Sequence, residues 1–227
     1  MIRQIRMRYY QFIENWEKDG LLQVCKFSIY RYDEAVPVEM DHSTLGEIKY
    51  PEGSSNFELL ELNKDNFHSR NLEYLVRSRK EKAIINIEKG YCAFALVKDN
   101  QVIADIWCAT RTVASASPIN KYLKWFGIEL GPEDCYMFDM HFFPGERGKG
   151  MSTFFLRSVL ERLKENGIKK SYAYFDAKNI PAVWLHRLLG YKELPRFIIR
   201  KVFVYETGKA KFGNSVSSVR ARTGNDS

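Results

Sequence analysis

Residues 142–152 read Phe-Phe-Pro-Gly-Glu-Arg-Gly-Lys-Gly-Met-Ser, and the segments on either side give the stretch its meaning. Before it, Tyr136–Phe143 has the apolar character of a strand. After it, Leu156, Val159, Leu160 and Leu163 recur at helical spacing between about Met151 and Asn166, and Gly167 closes the pattern. Strand, Gly-rich loop and helix start, in that order, aim several backbone N–H groups at one point, and the helix N-terminus adds partial positive charge. Gly148 and Gly150 let the backbone approach an anion closely. Arg147 and Lys149 add full charges. The loop is too short for a P-loop and lacks its Gly-Lys-Ser/Thr order; it is not G-x-G-x-x-G either, which disfavours a dinucleotide site. On spacing alone it reads equally as an anion cradle and as a plain βα turn.

Two neighbouring patterns bear on that choice. The strand before the loop carries Asp139 and His141 on one face by simple alternation. Ionisable groups in an otherwise apolar strand point to a site; a solvent-facing strand side is the alternative. Downstream, Asn179, Ala182 and His186 stand at i, i+3 and i+7 on one side of a helix expected over Pro181–Leu189. Leu185, Leu188 and Leu189 face elsewhere. Taken singly, Asn179 reads as a helix cap and His186 as a surface histidine.

The remaining pattern is mixed α/β. Strands are expected at Phe57–Leu62, Tyr91–Val97, Val102–Thr110, Ser171–Phe175, Tyr191–Leu194 and Phe197–Tyr205, and a helix at Asn66–Lys82. Lys98-Asp99-Asn100-Gln101 reads as a hairpin turn. Residues 112–134 form an insertion with Tyr122, Trp125 and Phe126 in a short helical pattern. Near the start, Ile2, Ile5, Tyr9, Phe12, Ile13 and Trp16 make the apolar stripe of an amphipathic helix, read as packing on the protein's own core. A strand-like stretch, Leu22–Tyr32, follows. The expected organisation is an N-terminal extension at 1–56, a main domain at 57–206 and a disordered basic tail at 207–227.

Composition bounds the rest. Of 227 residues, 45% are hydrophobic and 14% aromatic, enough for a sizeable core. No apolar run approaches the ~20 residues of a spanning helix, and the first residues lack the apolar segment of a signal peptide. Cys25, Cys92, Cys108 and Cys135 are widely spaced and form no metal pattern. They read as reduced thiols in a cytoplasmic protein. The net charge is +7, and residues 196–227 supply most of it, with seven Lys/Arg against Glu206 and Asp226. No nucleic-acid motif accompanies that charge, so a nucleic-acid partner is not expected.

The loop and the downstream helix together resemble the GNAT acetyltransferase superfamily. Its coenzyme A loop, [Gln/Arg]-x-x-Gly-x-[Gly/Ala], is similar to Arg147–Ser152, and Asn179–Tyr191 is similar to its N-x-x-A-x-x-x-Y-x-x-x-G-[FY] element. The resemblance covers about Phe57–Tyr205. Ser152 departs from the usual Gly or Ala, and His186 stands where many members carry tyrosine.

The resemblance implies a mixed, mostly antiparallel central sheet with flanking helices and an N-acetyltransferase activity. Acetyl-CoA would be the co-substrate, without a metal, and a small-molecule or peptide amine the acceptor. It implies a splay between strands 136–143 and 171–175, pyrophosphate on Arg147, Gly148, Lys149, Gly150, Met151 and Ser152, and pantetheine along Met140–Phe142, oriented by Asn179. A backbone N–H near Phe142 would polarise the thioester carbonyl. Asp139, preferred over His141, would take the amine proton, with Glu133 as a third choice, and His186 would protonate the departing thiolate. Rival readings are a longer acyl-CoA or acyl carrier protein donor, and a non-catalytic module with a basic surface. A homodimer is left open.

Overall fold

The computed structural model describes residues 2–20, 30–47, 50–148, 150–202 and 205–211. Among the described residues, ten strands form one sheet. In chain order they are β1 (Tyr30–Asp41), β2 (Glu58–Leu62), β3 (Glu73–Tyr74), β4 (Cys92–Lys98), β5 (Gln101–Thr110), β6 (Asp134–Phe142), β7 (Lys170–Asp176), β8 (Lys192–Glu193), β9 (Phe197–Val202) and β10 (Tyr205–Ala210). The helices are α1 (Ile2–Asp19), α2 (Arg77–Glu88), α3 (Arg111–Ser115), α4 (Ile119–Phe126), α5 (Met151–Glu165) and α6 (Ile180–Leu188). The main path runs β10-β9-β1-β7-β6-β5-β4-β2, with β3 beside β5 and β8 beside β1. Pairing is antiparallel except at β6–β7 and β3–β5.

Strand alternation supplies two cores, one on each face of the sheet. Leu96, Ile106, Cys108, Met137 and Phe175 pack against Phe155, Leu156, Val159 and Leu160 of α5. Ala95, Trp107, Ala109, Tyr136 and Tyr172 pack against α2 and α4 through Ala83, Ile87, Leu123 and Phe126. The hairpin between β4 and β5 turns at Asp99 and Asn100, both with positive φ (48° and 63°). Residues with short polar side chains tolerate that conformation.

Four expectations need correction. The helix expected at Asn66–Lys82 begins only at Arg77. Upstream, Asn63 Oδ1 accepts from the N–H groups of Asp65 and Asn66, while Asn66 bonds Asn63 N–H and Glu61 C=O. These local bonds compete with helix formation. Second, the apolar stripe of α1 does not face the core. Ile2, Ile5, Tyr9, Phe12 and Trp16 are exposed, and only Met7 of the helix is buried. Polar contacts tie α1 to α2: Arg6 pairs with Glu81, and Glu14 accepts from Ser78.

Third, the strand expected at Leu22–Tyr32 enters the described residues only at Tyr30 and continues to Asp41. Its residues 22–29, like Cys25, lie outside the described residues. β1 sits inside the sheet, with β7 on one edge and β8 and β9 on the other. Fourth, residues 207–210, expected in the disordered tail, pair with β9. Gly208 explains their docking: a Cβ there would stand 2.6 Å from the Trp125 ring, so only a bare backbone lets α4 close onto β10. Residues 212–227 lie outside the described residues.

Candidate active site

The site is built where β6 and β7 part. Their parallel pairing covers only Asp134↔Lys170 to Tyr136↔Tyr172. Both strands run on, β6 to Phe142 and β7 to Asp176, so a gap opens toward their C-terminal ends. A bulge accompanies the divergence. Asp105 faces His141 and Trp107 faces Phe138, leaving Asp139 and Met140 opposite Ile106 alone. Asp139 takes up the extra residue at φ 56°, a conformation that costs a non-glycine residue energy.

Arg79 of α2 holds that bulge. Its Nη1 donates to Asp139 Oδ2 at 2.8 Å and its Nη2 to Asp139 C=O at 3.1 Å. Nη2 also donates to Asp105 Oδ1 at 2.5 Å. Trp107 Nε1 donates to the other Asp105 oxygen at 3.1 Å, and Lys82 Nζ lies 2.6 Å from Asp139. Burial works against the Arg79 charge, but Asp105 and Asp139 together more than offset it, and its pKa is raised. Burial pushes the Asp105 carboxyl up against the pull of Arg79.

The bulge breaks the period of two, yet Asp139 and His141 still come to the same cluster: His141 faces Asp105 and lies within reach of Arg79, Lys82 and Asp139. Asp139 is paired with the two cations. His141 differs: neither ring nitrogen has a hydrogen-bond partner among the described residues. Burial first, then Arg79 and Arg147, push its pKa down to about 4. The ring is therefore neutral near neutral pH, with a lone pair available. Glu133 lies just before β6, at the far end from the gap, where Lys169 Nζ meets it at 2.6 Å.

At the mouth of the gap the chain leaves β6, makes a 3-10 turn at Pro144–Glu146 and enters α5. Gly148 (φ 104°) and Gly150 (φ 78°) take conformations that favour glycine, and the space where a Cβ would stand is open at both. Met151 N–H bonds Gly148 C=O, and Phe154 N–H bonds Gly150 C=O. Among the described residues no backbone carbonyl accepts from the N–H of Gly148, Gly150 or Ser152. Three donors, an open glycine surface and the start of a 15-residue helix suit a phosphate. Lys149 lies outside the described residues. Arg147 is exposed, and its Nε donates to Phe142 C=O at 3.0 Å.

Phe143 N–H bonds Ile103 C=O on β5. Alternation then turns the Phe142 N–H and C=O the other way, toward β7. The N–H is thus aimed into the gap, while the carbonyl there is taken by Arg147. Met140, Phe143, Phe154, Phe175, Ala182 and Val183 share one apolar cluster, so the start of α6 and the residues flanking the glycine loop pack on the same face of the sheet.

The two polar residues of α6 are accounted for locally. Asn179 is its N-cap, accepting from Ala182 N–H at 3.3 Å. His186 Nδ1 donates to Ala182 C=O at 2.7 Å, and its ring lies 4.7 Å from both the Phe175 and Tyr191 rings. Burial lowers its pKa.

Sequence reasoning missed a cavity of about 520 Å³ that reaches the loop. It is lined by Thr44, Tyr50, Gly150, Phe154, Arg157 and Leu188, among others. Thr44 and Tyr50 come from a connection whose approach to α5 no local pattern announces. Among the described residues no group of three or more His, Cys, Asp or Glu side chains could hold a metal, and no helix is long and apolar enough to cross a membrane.

The sequence profile of the acetyltransferase (GNAT) family matches residues 56–191. Among solved structures, a tandem GNAT protein from the clavulanic acid biosynthesis pathway is 11% identical, with a TM-score of 0.51 over 80% of this chain and 57% of that one. A putative GNAT-family acetyltransferase from Novosphingobium aromaticivorans is 13% identical, with a TM-score of 0.44 over 75% and 63%. An aminoglycoside N-acetyltransferase in complex with CoA is 16% identical, with a TM-score of 0.42 over 66% and 93%. The tandem protein's likeness is one of fold alone. The chain spans less than two thirds of the first two structures' lengths. No curated protein matches the chain.

Proposed function

We propose, for a chain that belongs to the acetyltransferase (GNAT) family, that it moves an acetyl group from acetyl-CoA to a primary amine by direct transfer. The observation that carries the reading is the β6–β7 gap, with the N–H groups of Gly148, Gly150 and Ser152 at its mouth bonded to no carbonyl among the described residues. Bound acetyl-CoA would supply the acetyl group as a thioester, its C–S bond exchanged for a C–N bond as the thiol leaves.

The chain's own residues divide the work. The Gly148, Gly150 and Ser152 N–H groups would hold the pyrophosphate, with Arg147 adding charge and Met151 closing the first turn of α5. Lys149 would add a second charge. The apolar cavity beside Gly150 would take the adenosine end. Met140 would pair with the pantetheine amides, and the inward Phe142 N–H would polarise the acyl carbonyl. Asn179 would act by fixing the start of α6 at the edge of the gap.

His141 is our choice for accepting the amine proton, because its lone pair is free. With a pKa of about 4 it serves as a relay to water rather than a resting place for the proton. Asp139, paired with Arg79 and Lys82, shapes the bulge. His186 commits its Nδ1 proton to Ala182 C=O, so its role is to hold α6 against β7 rather than to protonate a thiolate. A cytoplasmic setting suits the free thiols of Cys92, Cys108 and Cys135.

The test is thiol release with a panel of primary amines, comparing acetyl-CoA with octanoyl-CoA. The reading expects a higher kcat/KM for acetyl-CoA. A clear preference for the longer chain would replace the proposed donor.

A further inference from the structure

On the α4 side of the gap, the protein carries aromatic rings and carboxylates that the acyl-transfer chemistry leaves unused. Tyr172 belongs to the core on that side, so Tyr174 and Asp176 of β7 share its face by alternation. The Tyr174 ring lies 5.6 Å from Tyr122 and 5.2 Å from Phe126. Trp125 stands edge-on to Tyr122 at 5.6 Å. Beneath them is Tyr136, only 1% exposed, whose hydroxyl has no hydrogen-bond partner among the described residues. The ionisable groups that bear on it are Tyr174 and Tyr122. A buried phenol with no partner among the described residues is unusual.

Carboxylates stand at two places around the wall. Glu206 of β10 accepts from Tyr122 Oη at 2.9 and 3.1 Å. At the C-terminal end of β7, Asp33 of β1 faces Asp176, with Arg31 beside it. Burial, then Glu206, Asp33 and Asp139, push the Tyr174 phenol up to about 12 against the pull of Arg31. Cations stand among these carboxylates too: Arg31 pairs with Asp33, Lys121 with Glu206, and Lys201 is the cross-strand neighbour of both Arg31 and Glu206.

The wall already holds one primary ammonium. Lys121 Nζ sits 4.4 Å over the Trp125 ring and 3.1 Å from Glu206 Oε2. Carboxylate and indole face thus form an ammonium bracket, filled by a flexible and exposed side chain that a ligand can displace.

We infer that the acceptor is a small aliphatic diamine or polyamine, with its reacting nitrogen near Asp33 and Asp176 and its distal ammonium in the Glu206–Trp125 bracket. This rests on the acyl-transfer reading, which assigns the neighbouring gap to the donor. Two carboxylate positions separated by aromatic rings match a chain with a cation at each end. A monoamine would satisfy only one of them.

The experiment is calorimetric titration of the full chain, without acetyl-CoA, with 1,4-diaminobutane and with n-butylamine. Coenzyme A is titrated in parallel. The diamine is expected to bind at least about tenfold more tightly than the monoamine, the loss that one ion pair's removal typically brings. Glu206→Gln, which keeps the Tyr122 hydrogen bond, should erase that difference and leave coenzyme A affinity unchanged. Lys121→Met, which vacates the bracket, should tighten the diamine. Equal affinities for the two amines, or an unchanged difference in Glu206→Gln, would overturn the inference. So would a lysine peptide that binds more tightly than the diamine. Failure of coenzyme A alone would strike the donor reading instead.

Discussion

Replacing Arg79 by methionine should unfasten the bulge on which the gap depends. The substitution keeps the aliphatic length and removes three hydrogen bonds, one to Asp105 and two to Asp139. The Asp105 side chain is 2% exposed and would keep only the Trp107 N–H; Asp139 is 24% exposed and would keep Lys82. Most of the cost therefore falls on Asp105. Stripping one partner from a buried ion pair typically costs ~3–5 kcal/mol, and the surviving contacts put Arg79→Met at the low end, ~3 kcal/mol near neutral pH. Asp105 would respond by staying protonated. Its folded pKa, already raised by burial, would rise further above the unfolded value. An acid whose folded pKa is raised binds more protons folded than unfolded, so stability falls as pH rises through that window. The deficit of Arg79→Met should therefore shrink as the pH is lowered from about 7.5 toward about 5. Urea unfolding of Arg79→Met, Asp105→Asn and the double variant at both pH values measures this. The double variant should cost less than the sum of the singles by ~1.5–3 kcal/mol. Additivity within ~0.5 kcal/mol, or a deficit that does not change with pH, would refute the reasoning.

Two further outcomes follow from other parts of the molecule. Gly208→Ala puts a Cβ at 2.6 Å from the Trp125 ring; overpacking of this kind costs ~1–3 kcal/mol, seen as a lower urea midpoint and altered tryptophan fluorescence as α4 lifts from β10. His141 has its folded pKa pushed down to about 4. Between the unfolded value of about 6.5 and that value, the unfolded chain binds more protons, so stability is lost as pH falls, by at most ~3 kcal/mol. Urea midpoints of wild type and His141→Gln should coincide in trend above about pH 7 and diverge below it, with wild type losing more.

Much of the site was legible because its signals are local. A loop that places glycine at two left-handed positions, between an apolar strand and a 3.6-period stripe, needs no long-range information. Asn179 as a helix cap is equally local. The bulge at Asp139 was not legible, since period-two reasoning assumes an unbroken ladder and the residue that stabilises the break, Arg79, lies 60 positions upstream. Asp33 was missed for the same kind of reason: it reaches the site only because β1 pairs with β7 across more than a hundred residues. The α1 stripe misled because amphipathicity reports that an apolar face exists, not what covers it. Glu206 fell between the strand read to Tyr205 and the residues read as disordered tail. Nothing in its neighbours announces that Gly208 lets Trp125 settle there.

The claim on which everything else depends is that the Gly148–Ser152 N–H groups hold the coenzyme A pyrophosphate. Calorimetric titration of coenzyme A into the wild-type chain and into Gly150→Trp, with folding of both checked by circular dichroism, tests it most directly. Saturable binding to wild type and none to a folded Gly150→Trp is the predicted result; equal binding to both, or none to wild type at millimolar coenzyme A, would contradict it.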